Sequence, residues 1–250
     1  MLEKRRGYYR GLLKEYPSNY DTWFDLIFLE QECKEIANVR DAFESAVKNV
    51  PPANEKRLWR RYIFLWIAYA IYEELEAKDL EKAKEVFSRV IKLIPHKIFT
   101  FSKIWIMYAQ LLVRAKDLGA ARKIFGQAIG MCPREKIFRS YIQLEMQLTN
   151  FDRCRMIYGK YLETFPDKPQ IWVDFAEMEN VLQEHDRCRQ IYQSAINLPV
   201  LNMPEVVWKA YIDFEFRLGN FKNVRALYTL LLSKTKHVKA WVSFARFEKE

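Results

Sequence analysis

Glycine and proline are scarce in this sequence. Seven glycines and nine prolines among 250 residues argue against a fold of many short strands joined by tight turns, and favour long helices. Cysteine is equally sparse. Cys33, Cys132, Cys154 and Cys188 show no metal-ligand spacing, so neither a zinc site nor a disulfide framework is indicated, and a reducing compartment fits best. The three histidines, His96, His185 and His237, lie far apart near expected helix ends, which suits surface or capping roles rather than catalysis. No glycine-rich phosphate loop and no nucleophile elbow occurs. Long apolar runs are missing too. The longest, Tyr62 to Tyr72, is flanked by Arg60, Arg61, Glu73 and Glu74 and is too short to span a bilayer. Met1 to Gly11 is charged and has no apolar signal-peptide core. The expectation is therefore a non-enzymatic protein with no cofactor, no metal and no membrane partner.

What the sequence does hold is apolar and aromatic mass under a positive charge. Half of it is hydrophobic, 15% is aromatic, and the formal charge is +9. The charge points to an acidic partner, nucleic acid or protein, without choosing between them.

The aromatic residues are periodic. Trp172, Phe175, Ala176 and Glu179 are followed by Arg189, Ile191, Tyr192, Ile196 and Pro199. The same order recurs from Trp23 (Glu30, Arg40, Pro51), Trp66 (Glu73, Lys84, Pro95), Trp105 (Arg122, Pro133), Phe138 (Glu145, Arg155, Pro166) and Trp208 (Glu215, Arg225), and begins again at Trp241 and Glu248. A period of 33 to 43 residues is the mark of a helical repeat array. The basic position follows the tryptophan position by 17 residues in five repeats and by 18 in the second. The helix pair is thus fixed in length and the connection is not. The third repeat departs from the pattern, because Leu112 stands where the glutamate should be; the second carries Lys84 at its basic position.

Positions i, i+3, i+4 and i+7 share one helix face, so each pair buries aromatics against its own partner helix and the neighbouring pair. Six of the seven tryptophans fall on that core phase, which favours core over a base-stacking platform. Cys154 and Cys188 share a repeat position and read as small core residues. The recurring glutamate and arginine are expected to meet across the helix pair of one repeat, or to bond a neighbouring tyrosine; a merely solvated charged face is the plain alternative. Ser18 and Asp21 resemble a capping box opening the first complete repeat.

These residues resemble the HAT repeat, the half-a-TPR motif of RNA-processing proteins. The runs Asn19–Asp25, Ala68–Asp79, Leu93–Lys97, Phe151–Arg155 and Met203–Lys209, several of them in connections, are similar to the crooked-neck family of pre-mRNA splicing factors. The resemblance implies an all-α, right-handed α-α superhelix (solenoid) of HAT/TPR-like pairs. It also implies a nuclear scaffold within the spliceosome nineteen complex, with a Myb-related splicing factor and a second HAT-repeat scaffold as protein partners and snRNA or pre-mRNA close by. A scaffold of 3′-end cleavage or rRNA processing, or a direct RNA-binding module, remains the alternative.

On this reading residues 1–250 form one array. Residues 1–17 are the second helix of a cut repeat, 18–52, 53–95, 96–133, 134–166, 167–200 and 201–236 are repeats, and 237–250 is the first helix of another cut repeat. Such cut repeats predict a fragment of a longer chain that self-associates. The long connection after Pro51 carries Lys56, Arg57, Arg60 and Arg61, with Trp59 in phase with Trp66; Lys97 and Lys103 lie in the next connection. Two readings stand side by side: one basic patch for a partner or RNA, with Trp59 as its aromatic, or dispersed surface charge.

Overall fold

A computed structural model describes residues 2–199, 201 and 203–249, and every regular element among them is an α-helix. The repeat boundary expected at Val200, and the terminal residues Met1 and Glu250, lie outside the described residues. The helices are α1 (Leu2–Glu15), α2 (Tyr20–Cys33), α3 (Ile36–Val47), α4 (Lys56–Leu75), α5 (Leu80–Leu93), α6 (Ser102–Arg114), α7 (Leu118–Met131) and α8 (Glu135–Gln147). They continue with α9 (Phe151–Thr164), α10 (Pro169–Val181), α11 (His185–Ile196), α12 (Glu205–Arg217), α13 (Phe221–Lys234) and α14 (Val238–Lys249). Two compact units, Met1–Tyr141 and Ile142–Glu250, divide within α8.

In the first unit α2/α3, α4/α5 and α6/α7 are helix hairpins. The second helix of each pair also packs on the first helix of the next, α3 on α4 and α5 on α6. The second unit repeats the scheme, with hairpins α10/α11 and α12/α13, and α9 on α10, α11 on α12 and α13 on α14.

One turn design joins the helices of each pair. The first helix runs into a residue in the left-handed region: Lys34, Lys78, Lys116, Thr149, Gln183 or Gly219, with φ between 54° and 71°. Only one of the six is glycine, so the others hold a conformation that disfavours a side chain by roughly 1–2 kcal/mol. The next N–H then turns back onto the helix. Asp79 donates to the carbonyl of Glu73 (2.7 Å), Asn150 to Glu145 (2.9 Å), Glu184 to Glu179 (3.0 Å) and Asn220 to Glu215 (3.0 Å). This closes carbonyls that the helix end leaves open. The same residues are the N-caps of the following helices, and the Asp79 and Asp117 carboxylates accept the N–H of Lys82 and Ala120. At the start of α2 the cap is Asn19, whose side chain accepts from Thr22 N–H. The capping box expected from Ser18 and Asp21 does not form, because the helix begins at Tyr20.

The tryptophan phase lies in the core as its periodicity predicts. Trp23, Trp66, Trp105, Trp208 and Phe138 are buried and Trp172 is half-buried, whereas Trp241, on α14, is 54% exposed. Trp59 is buried as well. Its indole N–H donates to the Pro52 carbonyl (3.0 Å), as that of Trp23 does to Pro17 (2.9 Å), and its ring meets Tyr62 and Phe99 edge-on. Nearby, the Tyr62 and Tyr20 hydroxyls donate to the carbonyls of Val47 and Asn49 at the end of α3, both at 2.6 Å.

Candidate functional site: inter-repeat clamps and a basic face

The recurring arginine and glutamate do meet, but across successive repeats. Arg6 Nε and Nη2 donate to the Glu30 carboxylate at 2.8 and 2.7 Å. Arg40 grips Glu73 at 2.8 and 2.6 Å, Arg155 grips Glu179 at 2.7 and 2.8 Å, and Arg189 reaches Glu215 at 2.7 and 3.4 Å. Arg225 Nε donates to Glu248 at 2.7 Å. The expected pairing within one repeat, such as Glu30 with Arg40, is therefore corrected. The geometry explains why. Within a hairpin the glutamate lies in the last turns of the first helix, on the side that packs against the helix before it. That helix is the second helix of the previous repeat.

At six of the junctions between successive repeats two rings stack; the Arg6–Glu30 junction has Leu26 in place of one ring. Phe43 lies on Tyr69 (4.7 Å between centroids), Phe87 on Tyr108 (5.3 Å) and Phe125 on Tyr141 (4.8 Å). Tyr158 lies on Phe175 (4.8 Å), Tyr192 on Tyr211 (5.0 Å) and Tyr228 on Phe244 (5.0 Å). The ring three residues after the arginine meets the ring four residues before the glutamate, so stack and ion pair together fix the sliding and rotational register of two antiparallel helices. Offset stacks add about 0.5–1.5 kcal/mol beyond burial.

All but the last of these clamps join a buried acid to a half-exposed base; Arg225 and Glu248 are both exposed. Glu30, Glu73, Glu145, Glu179 and Glu215 are all buried. A buried carboxylate is tolerable only when paired and hydrogen-bonded, and bidentate arginine does both. The carboxylates in turn push the Arg6, Arg40 and Arg155 guanidiniums above their ordinary pKa. Burial raises Glu215, but hydrogen bonds from Arg189, Asn220 and Asn223 outweigh it and hold the carboxyl below its usual range. A further brace ties the second repeat to the first. Arg89 donates to both Glu44 oxygens (2.7 and 2.9 Å), Tyr69 Oη donates to Glu44 (3.0 Å), and Arg89 keeps the Glu44 carboxyl below its usual range. Periodicity alone does not reveal Glu44 and Arg89, since no other repeat shares them.

The basic residues expected after Pro51 open a helix, which the in-phase spacing of Trp59 and Trp66 lengthens by about two turns. Lys56, Arg57, Arg60 and Arg61 form the first two turns of α4, and all are exposed. The expected aromatic, Trp59, points into the core instead. Exposed Phe64 takes its place on the outer face, one turn beyond Arg60. Lys103 reaches over the Phe64 ring (Nζ 4.8 Å from the centroid), and Arg61 pairs with Asp21 and lies over Phe24. Lys97 is exposed in the segment before α6.

Reactive chemistry has little foothold in the side chains. Burial pushes the Cys188 thiol up to about 12 and raises Cys132 and Cys154 as well, which suppresses their thiolates. His96 is held by Thr100 Oγ1 (3.1 Å) and the Ile91 carbonyl (2.8 Å). Among the described residues no group of His, Cys, Asp or Glu is placed to hold a metal, and no helix is long and apolar enough to cross a membrane.

Comparison with known proteins agrees with this architecture. Residues 7–167 match the family described as pre-mRNA-splicing factor Syf1/CNRKL1 N-terminal HAT repeat, and residues 136–249 match the PRP39 N-terminal HAT repeat. The chain is 53% identical over 248 residues to pre-mRNA-splicing factor CLF1 of Paracoccidioides brasiliensis, covering 99% of this chain and 37% of that protein. It is 51% identical to crooked neck-like protein 1 of Homo sapiens (99% and 29%) and 45% identical to cwf4 of Schizosaccharomyces pombe (99% and 37%). The chain thus spans about a third of the length of the curated relatives it matches. With helical repeats throughout and relatedness along nearly all of its length, the chain belongs to the crooked-neck family of HAT-repeat splicing factors, a family of structural scaffolds rather than enzymes.

Proposed function

We propose that this chain is a non-enzymatic scaffold segment in pre-mRNA splicing, part of the nineteen complex in the nucleus, organising protein partners during spliceosome assembly and activation. The kinship of 45–53% along 248 residues with splicing factors carries this reading. The clamps support it, since a scaffold must hold its repeats in fixed register while its outer faces stay free. A Myb-related splicing factor and a second HAT-repeat scaffold are the partners this reading names, and residues 18–236 form its six complete repeats. Lys56, Arg57, Arg60, Arg61, Lys97 and Lys103 are its candidate contacts. Arg61 is the weakest of these, because Asp21 already engages it.

The test is complementation. Nuclear extract depleted of the endogenous protein should regain splicing, and the two partners should co-purify, when full-length protein containing this segment is added back. Lys56→Glu/Arg57→Glu/Arg60→Glu should leave the melting temperature within a few degrees while lowering partner recovery severalfold. Wild-type protein that neither restores splicing nor recovers those partners would overturn the reading.

A further inference from the structure

The outer face of α4 is unlike any ordinary solvated helix surface. Arg57, Arg60, Phe64, Ile71 and Leu75 recur at helical spacing on one side, and all are exposed, Leu75 by 65% and Phe64 by 45%. Neighbouring helices widen the strip. Phe28 of α2 is 62% exposed, and Arg61 ties α2 to α4 through Asp21 and Phe24. On the other flank Lys103 of α6 sits on Phe64, and Arg114 of α6 grips Glu74 of α4 at 2.6 and 2.7 Å. The strip therefore belongs wholly to the first compact unit. It is apolar along most of its length, cationic at the Arg57 end and carries Glu76 at the other.

We propose that this face docks a single amphipathic protein helix. The apolar stripe of that helix lies along Phe64, Ile71 and Leu75 with Phe28 at its side, and its acidic end lies over Arg57 and Arg60. The assignment rests in part on the scaffold reading above, and it identifies the chemistry of one partner. Charge complementarity sets the polarity. No described residue pairs with Arg57 or Arg60, and crowding cations into the first turns of a helix opposes its dipole, so an incoming carboxylate cluster relieves both. Length follows from the strip: 18 steps from Arg57 to Leu75 span about 27 Å, the reach of about five helical turns. A protein occupant is favoured over RNA on three grounds. Arg61 and Lys103 each lie over one face of the Phe24 and Phe64 rings, which leaves their edges better suited to aliphatic contact than to base stacking. Ile71 and Leu75 offer apolar area but no π-face. Exposed Glu76 would repel a phosphate backbone at the far end. Apolar anchors at i, i+4 and i+7 in a groove are how helices are commonly recognised.

Photo-crosslinking tests this in the full-length protein within assembled spliceosomal complexes. The crosslinking amino acid p-benzoylphenylalanine replaces Phe64 in one sample and exposed Met156, on α9, in a control. Adducts are then digested and sequenced. The expected result is a protein adduct at position 64, absent at position 156, whose crosslinked segment has an apolar heptad-like stripe and clustered Asp or Glu at one end. Arg57→Glu/Arg60→Glu and, separately, Ile71→Asp should each lower its yield at least tenfold with the melting temperature unchanged. An RNA adduct, no adduct, a segment lacking that acidic end, or a yield indifferent to both variants would overturn the proposal. Complementation by the same protein without the adduct would sink this inference alone and leave the scaffold function standing.

Discussion

The junction between α3 and α4 and the junction between α5 and α6 solve one packing problem in two ways. Both stack a phenylalanine on a tyrosine, Phe43 on Tyr69 and Phe87 on Tyr108. At the first, Arg40 also binds Glu73 and Asp79, and Arg89 ties α5 back to Glu44. At the second, lysine stands at the arginine position and leucine at the glutamate position. Lys84 turns back to Glu81 in its own helix (2.7 Å), and Leu112 is buried in place of a carboxylate. Across these two junctions the stack is kept and the ion pair replaced, whereas at the junction of α1 and α2 the Arg6–Glu30 pair is kept and Leu26 stands in place of a ring. Replacement of the whole pair fits the energetics, because exchanging a buried ion pair for apolar packing is often near neutral, whereas removing one partner alone is costly.

The sharpest way to break this comparison is to remove the cation. Arg40→Met leaves Glu73 buried without its counter-charge and should cost about 3–5 kcal/mol. Lys84→Met, losing only a surface pair, should cost under about 1 kcal/mol. Hydrogen exchange resolves local opening in a repeat protein better than a global melt does, and the loss should concentrate in α3, α4 and α5. Equal losses at the two junctions would show that the clamp contributes nothing special.

A second experiment builds the missing clamp. Leu112→Glu alone should destabilise α5 and α6, since it buries an unpaired charge. Adding Lys84→Arg should recover part of that loss, with a favourable coupling of about 1–3 kcal/mol in the double-mutant cycle. Strict additivity would mean that the two positions do not face each other.

The smallest effect is an acid one. Arg89 depresses the Glu44 carboxyl in the native state, so ionised Glu44 stabilises the fold at pH values above the ordinary glutamate range. That contribution is lost as pH falls through the lowered native value. At neutral pH Glu44→Gln should therefore be less stable than wild type by up to about 1 kcal/mol, a figure already reduced for solvent screening. Thermal melts taken from pH 7 downward should show the gap closing in acid. A constant gap would assign the loss to packing rather than charge.

Much of this was readable from the residues. The tryptophan, aromatic and glutamate phases predict the helices and their buried sides, because a period near 3.6 is imposed by the helix itself. The partner of each arginine was not, because an acid and a base ten residues apart in one repeat recur just as regularly as an acid and a base in adjoining repeats. The exceptions held the answer. The arginine is lost in the second repeat and the glutamate in the third, a coincidence that only an inter-repeat pair explains. Trp59 teaches the converse. Its phase with Trp66 already placed it in the core, and only its place in a basic stretch suggested an outward role. Glu44–Arg89 and the α4 strip carry no repeat signal, so three-dimensional neighbours alone disclose them.

The order of partners along the chain has a consequence for synthesis. In each of the five pairs described, the arginine precedes its glutamate: Arg6 before Glu30, Arg40 before Glu73, Arg155 before Glu179, Arg189 before Glu215 and Arg225 before Glu248. A ribosome releases the readily hydrated cation first, and the acid, buried in four of the five pairs, emerges later into a site where its counter-charge already waits. Reversing the order would leave a carboxylate facing burial with no partner yet made. Vectorial growth from the N-terminus, the direction in which nascent chains commonly fold, thus suits the polarity of these pairs, and each new repeat can lock onto a finished one without waiting for the rest of the chain.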